Sequence, residues 1–223
     1  MALQLPTTDG TSVHQLRERI LRMQEGAPRI PLETHPALAE LVQLRTGDSY
    51  GVDSASLAMA LMAGPSQAGA WCAVVGIADF GVEAAAAIGV DLTRTVLIPD
   101  PGEHWVEVIA AMVDVTSVVV VRPAVPVSEH VASRIGARLR KRSAVLIALG
   151  DWPRCDAWLS LHEPTWSGAG RGNGHLRSRR VIVAVRRGSA PPLQAPMWLP
   201  APDAQVRRCE MAPVVAVEVR DAS

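Results

Sequence analysis

The 223-residue chain is almost without lysine: Lys141 is the single one among 22 basic side chains. Any chemistry that needs an ammonium group elsewhere is excluded. Cysteine is scarce too. Cys72, Cys155 and Cys209 are odd in number and far apart, which suits reduced thiols and gives neither a disulfide framework nor a zinc-ligand spacing. No apolar run reaches the roughly 18 residues of a membrane-spanning helix. Met1 to Gly10 lacks the basic and apolar regions of a secretory leader, so a cytoplasmic location is expected. Charge of one sign is not in excess either, with 22 basic and 22 acidic residues. That balance excludes a whole-molecule pull on nucleic acid or membrane and makes any such pull local.

Apolar residues are plentiful, at 48% of the chain, enough to fill one substantial core. Residues 12–25 place Val13, Leu16, Ile20 and Met23 on one helical face behind Ser12 as N-cap, and Gly26 and Pro28 stop the pattern. A shorter helical pattern spans Pro36 to Leu44. The polar stretch Thr46 to Gly51 then reads as a loop feeding a helix from about Asp53 to Ala63. Beyond it, apolar runs at Trp71–Ile77, Thr95–Ile98, Ser117–Val121 and Ala144–Leu149 alternate with helical stretches at Val82–Ile88, Pro101–Asp114 and Ser128–Arg142. β-Branched runs separated by helices predict parallel strands buried on both faces, a doubly wound α/β sheet. After Gly150, alternating segments at Ala157–Leu161 and Arg180–Arg187 predict later strands of the same sheet, with a glycine-rich loop, Ser167–Gly174, between them. The proline-rich stretch Ala190–Pro202 reads as an extended linker, and Val214–Val219 as a last strand.

The loop before the first helix of the core has the position of a phosphate-binding loop. Such a loop needs backbone N–H groups at a helix N-terminus, a lysine for the terminal phosphates and a Ser or Thr for magnesium. Here Gly47 and Gly51 are followed by Asp53 and Ser54, with an acid where phosphates would sit and no lysine within reach of any realignment. Asp53 reads better as a helix N-cap. The strand Val118–Val121 should end in a magnesium-holding acid in a working nucleotide site, but Arg122 stands there. The two deficits agree: no cofactor, no metal and no catalytic residue is expected.

At this point the chain resembles the RecA recombinases, and within them the shortened, degenerate RecA-like proteins of actinobacterial mutagenesis cassettes known as ImuA or ImuA-prime. The resemblance is carried by Ala87–Ile98, where a helix ends in a Gly89-Val90-Asp91 turn before a strand, and by Pro101-Gly102-Glu103 leading into the next helix. It is also carried by Gly168–Leu176 with Arg179–Arg187, which resemble the glycine-rich second DNA loop and its following strand. It departs from the family at the missing lysine, at Arg122, and at the carboxylate expected after Ile77, which only Asp79 matches.

The resemblance implies a RecA-like, mainly parallel sheet flanked by helices on a degenerate P-loop NTPase core. It divides the chain into an N-terminal helical segment (1–44), the core (45–188) and a proline-rich linker with tail (189–223). It further implies a non-enzymatic accessory role in DNA-damage-induced mutagenesis, or translesion synthesis. The partner would be an inactive Y-family polymerase homologue of the ImuB type and, through it, an error-prone C-family polymerase and the sliding clamp. Alternatives are a regulator of single-stranded DNA or recombinase filaments, an SOS cell-division inhibitor, and an ATPase with an unusual loop. Self-association through the N-terminal helix is a further reading.

Arg171, Arg177, Arg179 and Arg180 form the strongest local cluster of positive charge and are the candidate nucleic-acid contacts. The basic end of the 128–142 helix is explained by its dipole. Six tryptophans stand against one tyrosine and one phenylalanine. Trp71 and Trp105 read as core, whereas Trp166 and Trp198, in Gly-rich and Pro-rich settings, are candidate partner contacts. The six histidines are scattered and no nucleophile motif occurs.

Overall fold

The computed structural model describes residues 28–170, 173–209 and 215–216. The helix expected over 12–25 and the candidate Arg171 lie outside them.

Aliphatic runs with no polar residue cannot face water on either side, and they form the middle of one sheet. β2 (Cys72–Val75), β4 (Val118–Val121) and β5 (Val145–Leu149) are buried at every residue. With β1 (Ser49–Val52), β3 (Thr95–Ile98) and the start of β6 (Ala157–Gly170) they run parallel. β7 (Asn173–Arg186), β8 (Leu193–Trp198), β9 (Arg207–Arg208) and β10 (Val215–Ala216) continue the sheet antiparallel. The order is β10-β8-β7-β6-β1-β5-β4-β2-β3, with β9 also on β8.

Successive strand residues point to opposite faces, so each run feeds two cores. On one face α1 (Ala55–Gln67) and α2 (Val82–Ile88) bring Leu57, Leu61, Met62, Ala85 and Ile88 onto Val52, Val74, Val120 and Ile147. On the other, α3 (Trp105–Val115) and α4 (Glu129–Arg142) bring Ile109, Val113, Ile135 and Leu139 onto Ala73, Val75, Val119 and Leu146. Ser128 caps α4 by accepting from the Val131 N–H, and Gly89, left-handed at φ +107°, closes α2.

α1 is apolar on every side because it is buried on every side. The segment before β1 crosses its outer surface so closely that a Cβ on Gly64 would lie 2.5 Å from the His35 nitrogen. Leu38, Leu41 and Leu44 of that segment are fully buried in the same core as the sheet. Packing is therefore continuous across position 44, and the helix expected at 36–44 is a set of hydrogen-bonded turns.

Three other expectations are corrected. The stretch 46–51 is turn only through 48, since Ser49–Val52 is a central strand. The glycine-rich segment is mostly strand, because β6 reaches Gly170 and β7 starts at Asn173, forming one long ribbon with register shifts at His162/Thr165 and Ser167/Ala169. The supposed linker holds β8, paired along Arg180–Val185, so the sheet continues past 188.

Candidate functional site

Ligands of open α/β sheets sit outside the carboxyl ends of the parallel strands, and here those ends are β1, β5, β4 and β2. β1 passes into α1 through only Asp53 and Ser54, too short a connection to wrap a phosphate. Gly47 lies before β1, at the strand's opposite end. Gly51 lies inside the strand, where an added Cβ would be 2.2 Å from the Trp158 ring; its role is to let that ring lie on the backbone.

Asp53 is not the helix cap. Its carboxylate accepts from the Leu161 N–H at 2.9 Å and its own N–H donates to the Leu159 carbonyl at 3.2 Å, which ties the connection to β6. Ser54 holds the cap position without a side-chain capping bond. Its hydroxyl meets that of Ser56 at 2.6 Å.

A guanidinium stands over this helix start. Arg179, from β7, donates to Ser56 Oγ at 2.6 Å and to the Leu199 carbonyl at 2.7 Å. Its guanidinium carbon lies 5.1 Å from the Trp166 ring centroid, within cation–π range. Burial draws the Arg179 pKa down, partly offset by the charge of Asp53. A cation is the wrong sign for a helix N-terminus, and these four neighbours compensate. The place where anionic oxygens would settle is thus filled from the antiparallel half of the sheet.

The second deficit is filled in the same way. Arg122, at the end of β4, pairs with Asp79 beyond β2 at 2.6 Å, and the hydrogen bond from Arg122 holds Asp79 below the ordinary carboxylate range. Gly76, at φ +73°, permits this approach, since a Cβ there would stand 2.5 Å from the Arg122 carbonyl oxygen. The one carboxylate that follows Ile77 is thus neutralised by the arginine that follows β4.

Of the candidate nucleic-acid contacts, Arg177 and Arg180 are exposed and Arg179 is engaged internally, so the structure does not bring the three together as one free cluster. Trp166 is 45% exposed on the ribbon; Trp198 is partly buried on β8, beside Arg180 and Arg207. Trp71 is not core but 49% exposed, because it precedes β2, whereas Trp105 packs against the second core. On α4, Arg138 and Arg142 both bind Asp114 of α3, which accounts for part of the basic run.

Several concavities are present, and two of them border the antiparallel strands. A cleft of about 820 Å³ lies beyond β4 and β5, lined by residues 123–127, 149–153 and 155 with Trp158 and Arg186. Another, of about 400 Å³, is lined by Arg180, Trp198, Ala201, Pro202 and Arg207–Cys209. Among the described residues no group of His, Cys, Asp and Glu is arranged to hold a metal, and no helix is long and apolar enough to cross a membrane.

Fold and site together define an α/β domain on a mixed sheet, mainly parallel in its first half, whose first helix start is occupied by its own Arg179. Residues 37–154 match the family model described as the MT3502 N-terminal domain, more than half of the chain, and the protein belongs to that family. It is also similar to the uncharacterized protein Rv3395c of Mycobacterium tuberculosis, at 37% identity over 99 residues, covering 44% of this chain and 48% of that protein. The matched region thus spans about half of that relative.

Proposed function

We propose that this protein is a non-catalytic, RecA-like accessory factor of DNA-damage-induced mutagenesis of the ImuA type, which binds an inactive Y-family polymerase homologue of the ImuB type. The observation that carries the reading is the Arg179 guanidinium at the start of α1, together with the Asp79–Arg122 pair: a strand runs into a helix there, and the protein's own cations stand where a nucleotide's phosphates and magnesium would be expected. The parallel strands with helices on both faces, and the Gly89-Val90-Asp91 turn entering β3, support the recombinase resemblance. A protein that retains such a scaffold without its chemistry acts through what it binds.

The test is co-purification of the tagged chain with an inactive Y-family polymerase homologue of the ImuB type. The reading expects a stoichiometric complex that withstands Mg-ATP addition and removal alike. Absence of a complex, or one that forms only with Mg-ATP, contradicts it.

A further inference from the structure

On the side of the antiparallel strands away from α1, an indole and a guanidinium stand together in two places. Val181, Val183 and Val185 of β7 and Ala195 and Met197 of β8 join the core beneath α1. By strand alternation Arg180, Ile182, Ala184 and Arg186, with Gln194, Pro196 and Trp198, point to the other side. β6 adds Trp158 opposite Arg186, Ser160 opposite Ala184 and His162 opposite Ile182. The helices of this side, α3 and α4, pack with β2, β4 and β5.

At one end Trp158 and Arg186 are cross-strand neighbours in the wall of the larger cleft. At the other, Trp198 and Arg180 are cross-strand neighbours in the wall of the smaller one. Both arginines are exposed, and neither has an ion pair among the described residues. Six residues apart on one strand, they stand about 20 Å from each other. Between them lie Ile182, Pro196 and the buried Ala184, together with the polar Ser160, His162 and Gln194. The Ser160 hydroxyl and His162 Nε2 are 2.9 Å apart. Of the surrounding acids, Asp151 lines the larger cleft, Glu163 falls in the register shift beyond His162, and Asp203 pairs with Arg207. No carboxylate holds a strand position on the face itself.

An indole beside a guanidinium, repeated at two clefts, fits a ligand whose flat rings and negative charges recur along one chain. Single-stranded nucleic acid is such a ligand: bases stack on aromatic rings, phosphates pair with arginines, and hydroxyl, imidazole and amide groups bond the sugars and base edges between them. A duplex keeps its bases stacked on one another and offers the indoles none. An apolar protein helix would cover Ser160, His162 and Gln194 without giving them partners.

We propose that this face binds single-stranded nucleic acid in the absence of ATP, with bases against Trp158 and Trp198 and phosphates on Arg186 and Arg180. At about 3.4 Å per nucleotide of a stacked strand, the distance between the arginines spans roughly six nucleotides, within the roughly 4–16 that one such site takes. Of the arginines singled out in the sequence for nucleic-acid contact, only Arg180 belongs to it. The site stands or falls independently of the polymerase-homologue reading.

The test is fluorescence anisotropy with a labelled oligothymidylate of about 20 nucleotides, without ATP and over a salt series. Wild type should bind saturably, with a log affinity that falls against log salt at a slope of about −1.4 or steeper, about 0.7 for each of two phosphates. The Arg180→Glu/Arg186→Glu protein should bind about tenfold or more weakly, with a slope shallower by about 1.4. Trp198→Leu should weaken binding about fivefold or more and leave the slope unchanged. Arg177→Gln, on the exposed ribbon, should change it by less than about twofold. Both arginines of the double variant are exposed, so its melting temperature should match wild type; if it falls, Arg180→Gln/Arg186→Gln carries the comparison. Oligouridylate run in parallel tells RNA from DNA, and binding of either in this pattern bears the proposal out. Absence of saturable binding, equal binding by wild type and double variant, or a loss in Arg177→Gln as large as in the double variant overturns it. So does a duplex or a polyglutamate peptide that competes as well as the single strand.

Discussion

The two halves of the sheet bury their strands differently. From β3 to β1, helices cover both faces, every residue of the inner strands is enclosed, and Arg179 and the Asp79–Arg122 pair stand at the start of α1 and beyond β2 and β4, while a cleft stays open beyond β4 and β5. From β6 to β8 described helices pack only on the α1 face, and the other side carries exposed Arg180 and Arg186 with partly buried Trp158 and Trp198. The closed half is specified by continuous aliphatic runs, the open half by alternation. The open half also closes the other, because Arg179 reaches from β7 to α1.

The sharpest way to break this comparison is to cut into each half. Leu146→Ala in the closed half removes a fully buried side chain and should lower stability by about 2–5 kcal/mol; Ile182→Ser on the open face should lower it by less than about 1 kcal/mol. Urea unfolding of both variants decides, and equal losses would mean that the face is covered. The link between the halves comes next. Arg179→Ala leaves the Leu199 carbonyl and Ser56 without their donor and should lose about 1.5–3 kcal/mol. Lysine at 179 should recover little, since a point charge cannot reproduce the fork.

A smaller effect sharpens the electrostatics of the closed half. The hydrogen bond from Arg138 holds Asp114 at about 2, against an ordinary 3.8. A lowered carboxylate pKa stabilises the fold above the unfolded value, and that contribution is lost as pH falls toward about 2. Carboxyl NMR titration should show a midpoint near 2, moving up in Arg138→Gln. The smallest effect is chemical. Burial pushes the Cys72 thiol up to about 12, so a thiol reagent at neutral pH should modify Cys72 only after unfolding.

The closed half was largely legible in the sequence. Val118–Val121 and Ala144–Leu149 announce buried strands, and the 128–142 helix is found with its Ser128 cap. β1 was not, because Ser49-Tyr50-Gly51-Val52 reads as polar turn. Its polarity is answered inside the fold, where the Tyr50 hydroxyl accepts from the Arg45 N–H and donates to the Gln43 carbonyl and Trp158 lies on Gly51. β8 was hidden by its prolines. Pro196 has no N–H to give, and it falls between the residues paired with β10 and those paired with β9, where no described outer strand asks for one. The missing lysine and the arginine at 122 were readable from composition and position. What filled the site was not, since Arg179 and Ser56 are 123 residues apart and meet only through the sheet.

The measurement that tests the central claim most directly is a thermal melt with and without saturating Mg-ATP. A ligand at about 100 times its dissociation constant adds about 2.7 kcal/mol to the native state, several degrees for a domain of this size. With Arg179 and the Asp79–Arg122 pair occupying the strand ends, the melting temperature should not move. A rise of several degrees, abolished by removing magnesium, would contradict the account.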